Sequence, residues 1–327
     1  CNHKRREPLC FAVFCTPKPF IRQCLANCSL IAVCKFVAGA YTGSSAMLSE
    51  AIHSVVDSGN QLLLLYGIKK ANQEADDQHP FGYGMELYFW TFVIAILIFA
   101  IGAGLSLYKG FLHIQHPSPM NSPYVNYIVL VVSMVFEAIA CTIAYREFNK
   151  VRESTSFFKA IRHSKDPTIF TVLFEDTAAM IGLIIAFLGV AGSHILGWHI
   201  LDGVASISIG IVLALVAIFL AIECKGLLIG EAADPLIVNE IRDYLQNDTR
   251  IKRTNELLTM HFSPNEILLN ASLDFKDGLS AEVVEAAISE FEGSIKSKFP
   301  SIRRVFIEAQ SWKGHQENAL TEGNTES

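Results

Sequence analysis

Long apolar runs separated by short polar segments fill the first two thirds of the chain. Three are plain, at about 86–112, 124–146 and 200–223. Each supplies the ~20 largely apolar residues that a bilayer crossing requires. A fourth, about 167–191, opens with Asp166 as a helix cap and Pro167 at the first helical position. Two weaker runs precede these, about 22–41 and 44–68. The second carries a polar stripe that a strict hydropathy window rejects. The pattern predicts six transmembrane helices.

Beyond Gly230 the pattern is that of an ordinary soluble domain. Residues 235–247 predict a helix, and 255–262 and 266–275 predict strands separated by the turn signal Ser-Pro-Asn-Glu. A helix over 280–298 and a strand over 301–309 complete an αββαβ order, which predicts a small α+β domain. The expected boundaries are an N-terminal segment 1–21, a six-helix transmembrane domain 22–230, a C-terminal domain 231–311 and a disordered polar tail 312–327.

Composition agrees with that division. Charged residues make up 18% and hydrophobic ones 51%, against about 25% charged in soluble domains. The net charge of -6 averages over unlike parts, and no basic patch invites nucleic acid. The eight cysteines include no Cys-x-x-Cys pair, which excludes a zinc-finger framework; Cys24 and Cys28, one helical turn apart, read as small apolar residues. The basic, proline-broken stretch near the start makes no clear signal or transit peptide. Segments 42–46, 113–123 and 192–199 carry no Lys or Arg, whereas the alternate segments are basic. The positive-inside rule therefore places both termini on the cytoplasmic or matrix side.

The polar stripe lies in "SEAIHSVVDSGN", where Glu50, His53, Asp57 and Asn60 share one helical face. A charge at mid-membrane costs about 2.5–3.5 kcal/mol on insertion scales, so two carboxylates within two turns need a cation, a water-filled cavity or a metal. The fifth span supplies Glu175 and Asp176 near mid-depth. Adjacent residues on a helix point about 100° apart, so one of the two is expected to face the stripe. One imidazole with two or three carboxylates suits Zn²⁺, with Mn²⁺ and Fe²⁺ also accommodated by an oxygen-rich set.

The motifs "SEAIHSVVD", "HPFGYG" before the third span and "SKDPTIFTVLFEDTAAMIG" in the fifth, with six spans and the αββαβ order, resemble the cation diffusion facilitator family over about 22–311. The similarity is to the branch that holds bacterial members and the mitochondrial zinc transporter. That resemblance implies a homodimer exchanging metal for protons by alternating access, with His53, Asp57 and Asp176 as ligands. Val172 stands where many members carry His or Asp, and Glu175 is the candidate replacement. A weaker second site would use Asp76 and His79, with Tyr83 in a third ligand position. Met85 and Gly230 stand where some members place an ion pair, and Glu308 and Gln310 where some bind metal. Glu50 and Asn60 are candidate pathway residues; Glu137 in the fourth span reads as an aid to proton or metal movement or as an interhelical hydrogen bond, and Asp202 reads first as the N-terminal cap of the sixth span, with a pathway role as the alternative.

The expectation is a divalent-cation efflux transporter, most simply for Zn²⁺, with Mn²⁺, Fe²⁺, Co²⁺ and Cd²⁺ as further candidate cargo. Its partners would be metal, protons, lipid and a second copy of the chain, with no organic cofactor. The alternatives are a manganese- or iron-selective member of the same family and a metal-binding sensor or scaffold without transport. An enzyme is not expected, since His-Glu-x-x-His is absent. The expected location is a bacterial cell membrane, with the mitochondrial inner membrane as the alternative.

Overall fold

A computed structural model describes residues 31–117, 122–151 and 166–323. The N-terminal segment expected at 1–21, the start of the first span and most of the basic 146–165 segment lie outside the described residues. The chain divides into two compact units. One is drawn from Cys1–Leu65, Val93–Val151 and Ile169–Ala221, the other from Tyr66–Phe92, Arg152–Thr168 and Ile222–Ser327.

The helices follow the apolar runs. They are α1 (Ile31–Thr42), α2 (Ser45–Ala71), α3 (Glu86–Gln115), α4 (Pro123–Val151), α5 (Pro167–Leu196) and α6 (Ile200–Leu228). Four of them, within α3 to α6, are long and apolar enough to cross a membrane. The described part of α1 is shorter, and α2 is the helix that carries the polar stripe. Most spans run a few residues past their predicted C-terminal ends, because the helical backbone continues into the polar flanks. The third is interrupted by a π-helical segment, Ile98–Ala103, that hydropathy does not register.

Two of the starts have a visible chemical reason. Asp166 Oδ1 accepts the Thr168 N–H at 3.0 Å, so the cap read from the sequence opens α5. The start of α2 is built across two helices. Ser44 Oγ accepts the Met47 N–H at 3.1 Å as an N-cap and donates to Asp202 Oδ1 of α6 at 2.6 Å. The other Asp202 oxygen accepts the N–H groups of Ser45 and Ala46. The first orphan donors of α2 are thus satisfied by a carboxylate from another helix. Asp202 opens α6 in the sequence, yet the helix it caps is α2.

Close approach in the first unit depends on glycine. A Cβ on Gly203 of α6 would stand 2.8 Å from Ile114 Cγ1 and 3.0 Å from the Gly110 carbonyl oxygen of α3. Membrane helices use small residues in this way to bring backbones together, since lipid offers no hydrophobic drive between them.

In the second unit, α7 (Pro235–Gln246), β1 (Ile251–Ser263), β2 (Glu266–Phe275), α8 (Ala281–Lys298) and β3 (Ile302–Ala309) follow the predicted order. The sheet runs β1-β2-β3, with β1 and β2 antiparallel and β2 and β3 parallel. Its core joins Ile241 and Leu245 of α7, Leu269 and Leu273 of β2, and Phe291 and Ile295 of α8. The tail expected to be disordered from 312 instead opens with a helix, α9 (Trp312–Gly323). Ser311 Oγ accepts the Gly314 N–H at 3.2 Å, Asp274 accepts that of Trp312 at 3.2 Å, and the Arg253 guanidinium lies 3.4 Å from the Trp312 ring centre. Polar composition suggested disorder; a cap and one stacked aromatic favour the helix instead.

Candidate metal site in the membrane helices

Within the first unit, the stripe of α2 is buried as its face predicts. Glu50 and His53 are buried, Asn60 is buried, and the Asp57 side chain is 21% exposed. One α-helical turn brings His53 Nδ1 and Asp57 Oδ1 to 3.3 Å. That approach lacks hydrogen-bond geometry, so both His53 ring nitrogens and Asp57 Oδ1 are buried without a hydrogen-bond partner. Buried polar atoms are nearly always paired. Three such unpartnered donor or acceptor atoms lie on adjacent turns of α2.

The α5 residues meet the same stripe. Asn60 Nδ2 donates to Glu175 Oε1 at 2.9 Å, which ties the two helices together at the level of Asp57. Glu175 is buried. Asp176, partly buried, lies near enough to interact electrostatically with both Asp57 and Glu175. Two turns before Asp57, Glu50 Oε1 lies against the Cα of Gly182, where any Cβ would collide with it. The glycine therefore makes room for the carboxylate. Among the described residues, no three His, Cys, Asp or Glu side chains stand together as a ready metal-holding set. The structure brings His53 to Asp57, and Glu175 to Asn60, as two neighbouring pairs.

Sequence reading missed one member of the cluster. Lys35, in the middle of α1, is buried, donates to Ser54 Oγ at 2.8 Å and lies 3.4 Å from Glu50 Oε2. The signal was available: a lysine inside an apolar run has the same membrane cost as the carboxylates. Glu137 of α4, the other acid noted in the spans, is partly buried and interacts electrostatically with Glu50 and Asp57.

In the second unit, Asp76 and His79 do meet, but both Asp76 oxygens already accept hydrogen bonds. Asp76 Oδ1 accepts the N–H groups of Gln78 at 3.0 Å and His79 at 2.7 Å, and Oδ2 accepts the Tyr83 hydroxyl at 2.7 Å. Those bonds, the Tyr83 hydroxyl foremost, hold the Asp76 carboxyl below the usual carboxylate range and push the Tyr83 phenol up. The His79 ring lies over Tyr83 with centres 4.2 Å apart. The group closes the loop on itself. Farther along the chain, His261 is buried with Nδ1 3.2 Å from the Ser263 carbonyl, and Gln310 accepts from Ser272 at 3.4 Å.

Residues 23–229 match the cation efflux transmembrane domain. The chain belongs to the cation diffusion facilitator family. It is 33% identical over 276 residues to the mitochondrial proton-coupled zinc antiporter SLC30A9 of Homo sapiens, covering 84% of this chain and 49% of that protein. It is 30% identical over 236 residues to metal tolerance protein C4 of Arabidopsis thaliana, covering 72% and 52%. It is 28% identical over 278 residues to the cation-efflux pump FieF of Escherichia coli, covering 84% and 86%. The chain thus spans about half the length of the first two relatives. Membership in this family, together with the apolar helices, makes the chain a membrane protein of a transporter family rather than of an enzyme family.

Proposed function

We propose that this protein exports Zn²⁺, in exchange for protons, from the compartment that holds its C-terminal domain. One observation carries the reading: His53 and Asp57 sit in a membrane helix 3.3 Å apart, with both imidazole nitrogens and a carboxylate oxygen unpartnered. A neutral imidazole and a carboxylate are Zn²⁺ donors, and Glu175 and Asp176 on α5 bring the oxygens that complete the shell. Val172 offers none, so Glu175 takes the fourth position, released from Asn60 when cargo arrives. The names of the relatives support both the metal and the proton, since one is a proton-coupled zinc antiporter and another a cation-efflux pump.

The chemistry couples the two ions directly. Donors that hold the metal must be deprotonated, so binding releases protons and protonation expels the metal. A histidine with two free nitrogens is a suitable carrier of that exchange. Six helices, paired in a homodimer, rock around the site to expose it to either side in turn. By the charge of the loops, the termini face the cytoplasm or matrix. The Asp76–His79–Tyr83 group is a loop closure, which leaves the α2–α5 site as the transport site.

Proteoliposomes holding a zinc-sensitive dye and an imposed pH gradient test this. Wild type moves Zn²⁺ only with the gradient, and Asp57→Ala and His53→Ala abolish flux while the purified protein keeps its oligomeric state and helix content. Undiminished flux in Asp57→Ala refutes the assignment of the site. Manganese flux without zinc flux corrects the cargo.

A further inference from the structure

Burying an ammonium in a membrane helix is as costly as burying a carboxylate, and Lys35 is buried in α1. Its two partners are not scattered. Glu50 and Ser54 lie on adjacent turns of α2, each three residues before one of the proposed ligands, His53 and Asp57. Three residues of helix is about 4.5 Å of rise, so the ammonium is held beside the transport site on the side toward the start of α2. Its charge bears on Glu50, His53, Asp57 and Glu137 alike.

The pairing is also incomplete. Of the two Glu50 oxygens, Lys35 Nζ reaches only Oε2, at 3.4 Å. Glu50 Oε1 is buried with no hydrogen-bond partner, lying against Gly182. A purely structural ion pair satisfies both oxygens, because an unsatisfied buried carboxylate oxygen keeps its desolvation penalty. Here the carboxylate is half neutralised by a cation on one side and open on the other.

We propose that Lys35 is a tethered counter-cation for the transport site, a positioning residue that acts on cargo through charge. When the site is empty, the ammonium offsets the carboxylates of Glu50, Asp57 and Glu137. When a divalent cation arrives, the same fixed positive charge opposes it, which limits affinity and speeds release. Glu50 sets how much of that charge the cargo feels, because it shields the ammonium from the site. The idea rests on the transport site proposed above.

Opposite signs distinguish this from simple scaffolding. Zinc affinity is measured by calorimetry on the full chain in detergent, and flux in proteoliposomes. Lys35→Met binds Zn²⁺ at least about tenfold more tightly and transports more slowly, since each tenfold corresponds to about 1.4 kcal/mol of repulsion removed. Glu50→Gln binds at least about tenfold more weakly, because the ammonium is left unshielded. The double variant Lys35→Met with Glu50→Gln returns affinity to within threefold of wild type. It replaces a buried charged pair by neutral groups of similar shape, an exchange proteins generally tolerate, so it decides the matter even where Lys35→Met alone fails to fold. Affinity that shifts in the same direction in both single variants, or stays unchanged, overturns the proposal, as does a double variant that remains as weak as Glu50→Gln, which would make Glu50 a ligand. Failure of wild type itself to bind zinc overturns the transport reading instead.

Discussion

Replacing Asp202 with alanine is the sharpest structural test. Its carboxylate is fully buried and accepts from Ser44 Oγ at 2.6 Å, from Ser45 Oγ at 3.0 Å, and from the N–H groups of Ser45 and Ala46. A hydrogen bond to a charged group contributes about 1.5–3 kcal/mol, and a carboxylate at a partly buried helix N-terminus up to about 2. These do not add, because one group makes them all. Removing it also strands two donors at the start of α2, so the expected loss is about 3–5 kcal/mol, the range for breaking a buried charged network. Thermal unfolding in detergent, followed by tryptophan fluorescence, reads this as a midpoint lowered by roughly 10 °C. Asp202→Asn keeps one acceptor oxygen and loses about half as much. A midpoint for Asp202→Ala within a degree of wild type would refute the argument that α6 caps α2.

Further outcomes follow from local surroundings. Gly203→Leu places a side chain where a Cβ already meets Ile114 at 2.8 Å, and separates α3 from α6 at about 1–3 kcal/mol, visible as lowered thermal stability. In α8, Gly293→Ala meets nothing within 4 Å and raises stability by about 0.5–1 kcal/mol, whereas Phe291→Ala, two residues earlier and fully buried, lowers it by about 3–5. Asp76 has its carboxyl depressed in the folded loop by the Tyr83 hydroxyl and backbone N–H groups, so its contribution is present at neutral pH and vanishes as pH falls through that depressed value. Tyr83→Phe raises the Asp76 midpoint toward the ordinary carboxylate value in an NMR titration; an unmoved midpoint removes the hydroxyl as the main cause.

Spacing along the chain determined a good deal by itself. Apolar runs with polar flanks located α3 to α6, since a bilayer crossing demands length and composition that few other elements share; α2 showed only as a weaker run. Alternation and turn residues gave β1, β2 and β3, and the three-and-four spacing of Glu50, His53, Asp57 and Asn60 placed them on one helix face. These are local properties, fixed by helix geometry and the cost of burying charge. The tertiary structure decided which partner each polar group finds. Nothing in the sequence near Asp202 says that it caps α2, some 157 residues away, because orphan N–H groups accept any carboxylate the fold delivers. Val172, read as a missing ligand, is local; the Asn60–Glu175 bond that stands beside it is not. The helix from Trp312 depends on Asp274 and Arg253, distant in sequence and adjacent only once the sheet forms. Lys35 was legible as an odd charge in an apolar run, but its meaning came from packing, which set the ammonium between Glu50 and Ser54, one turn from the proposed ligands.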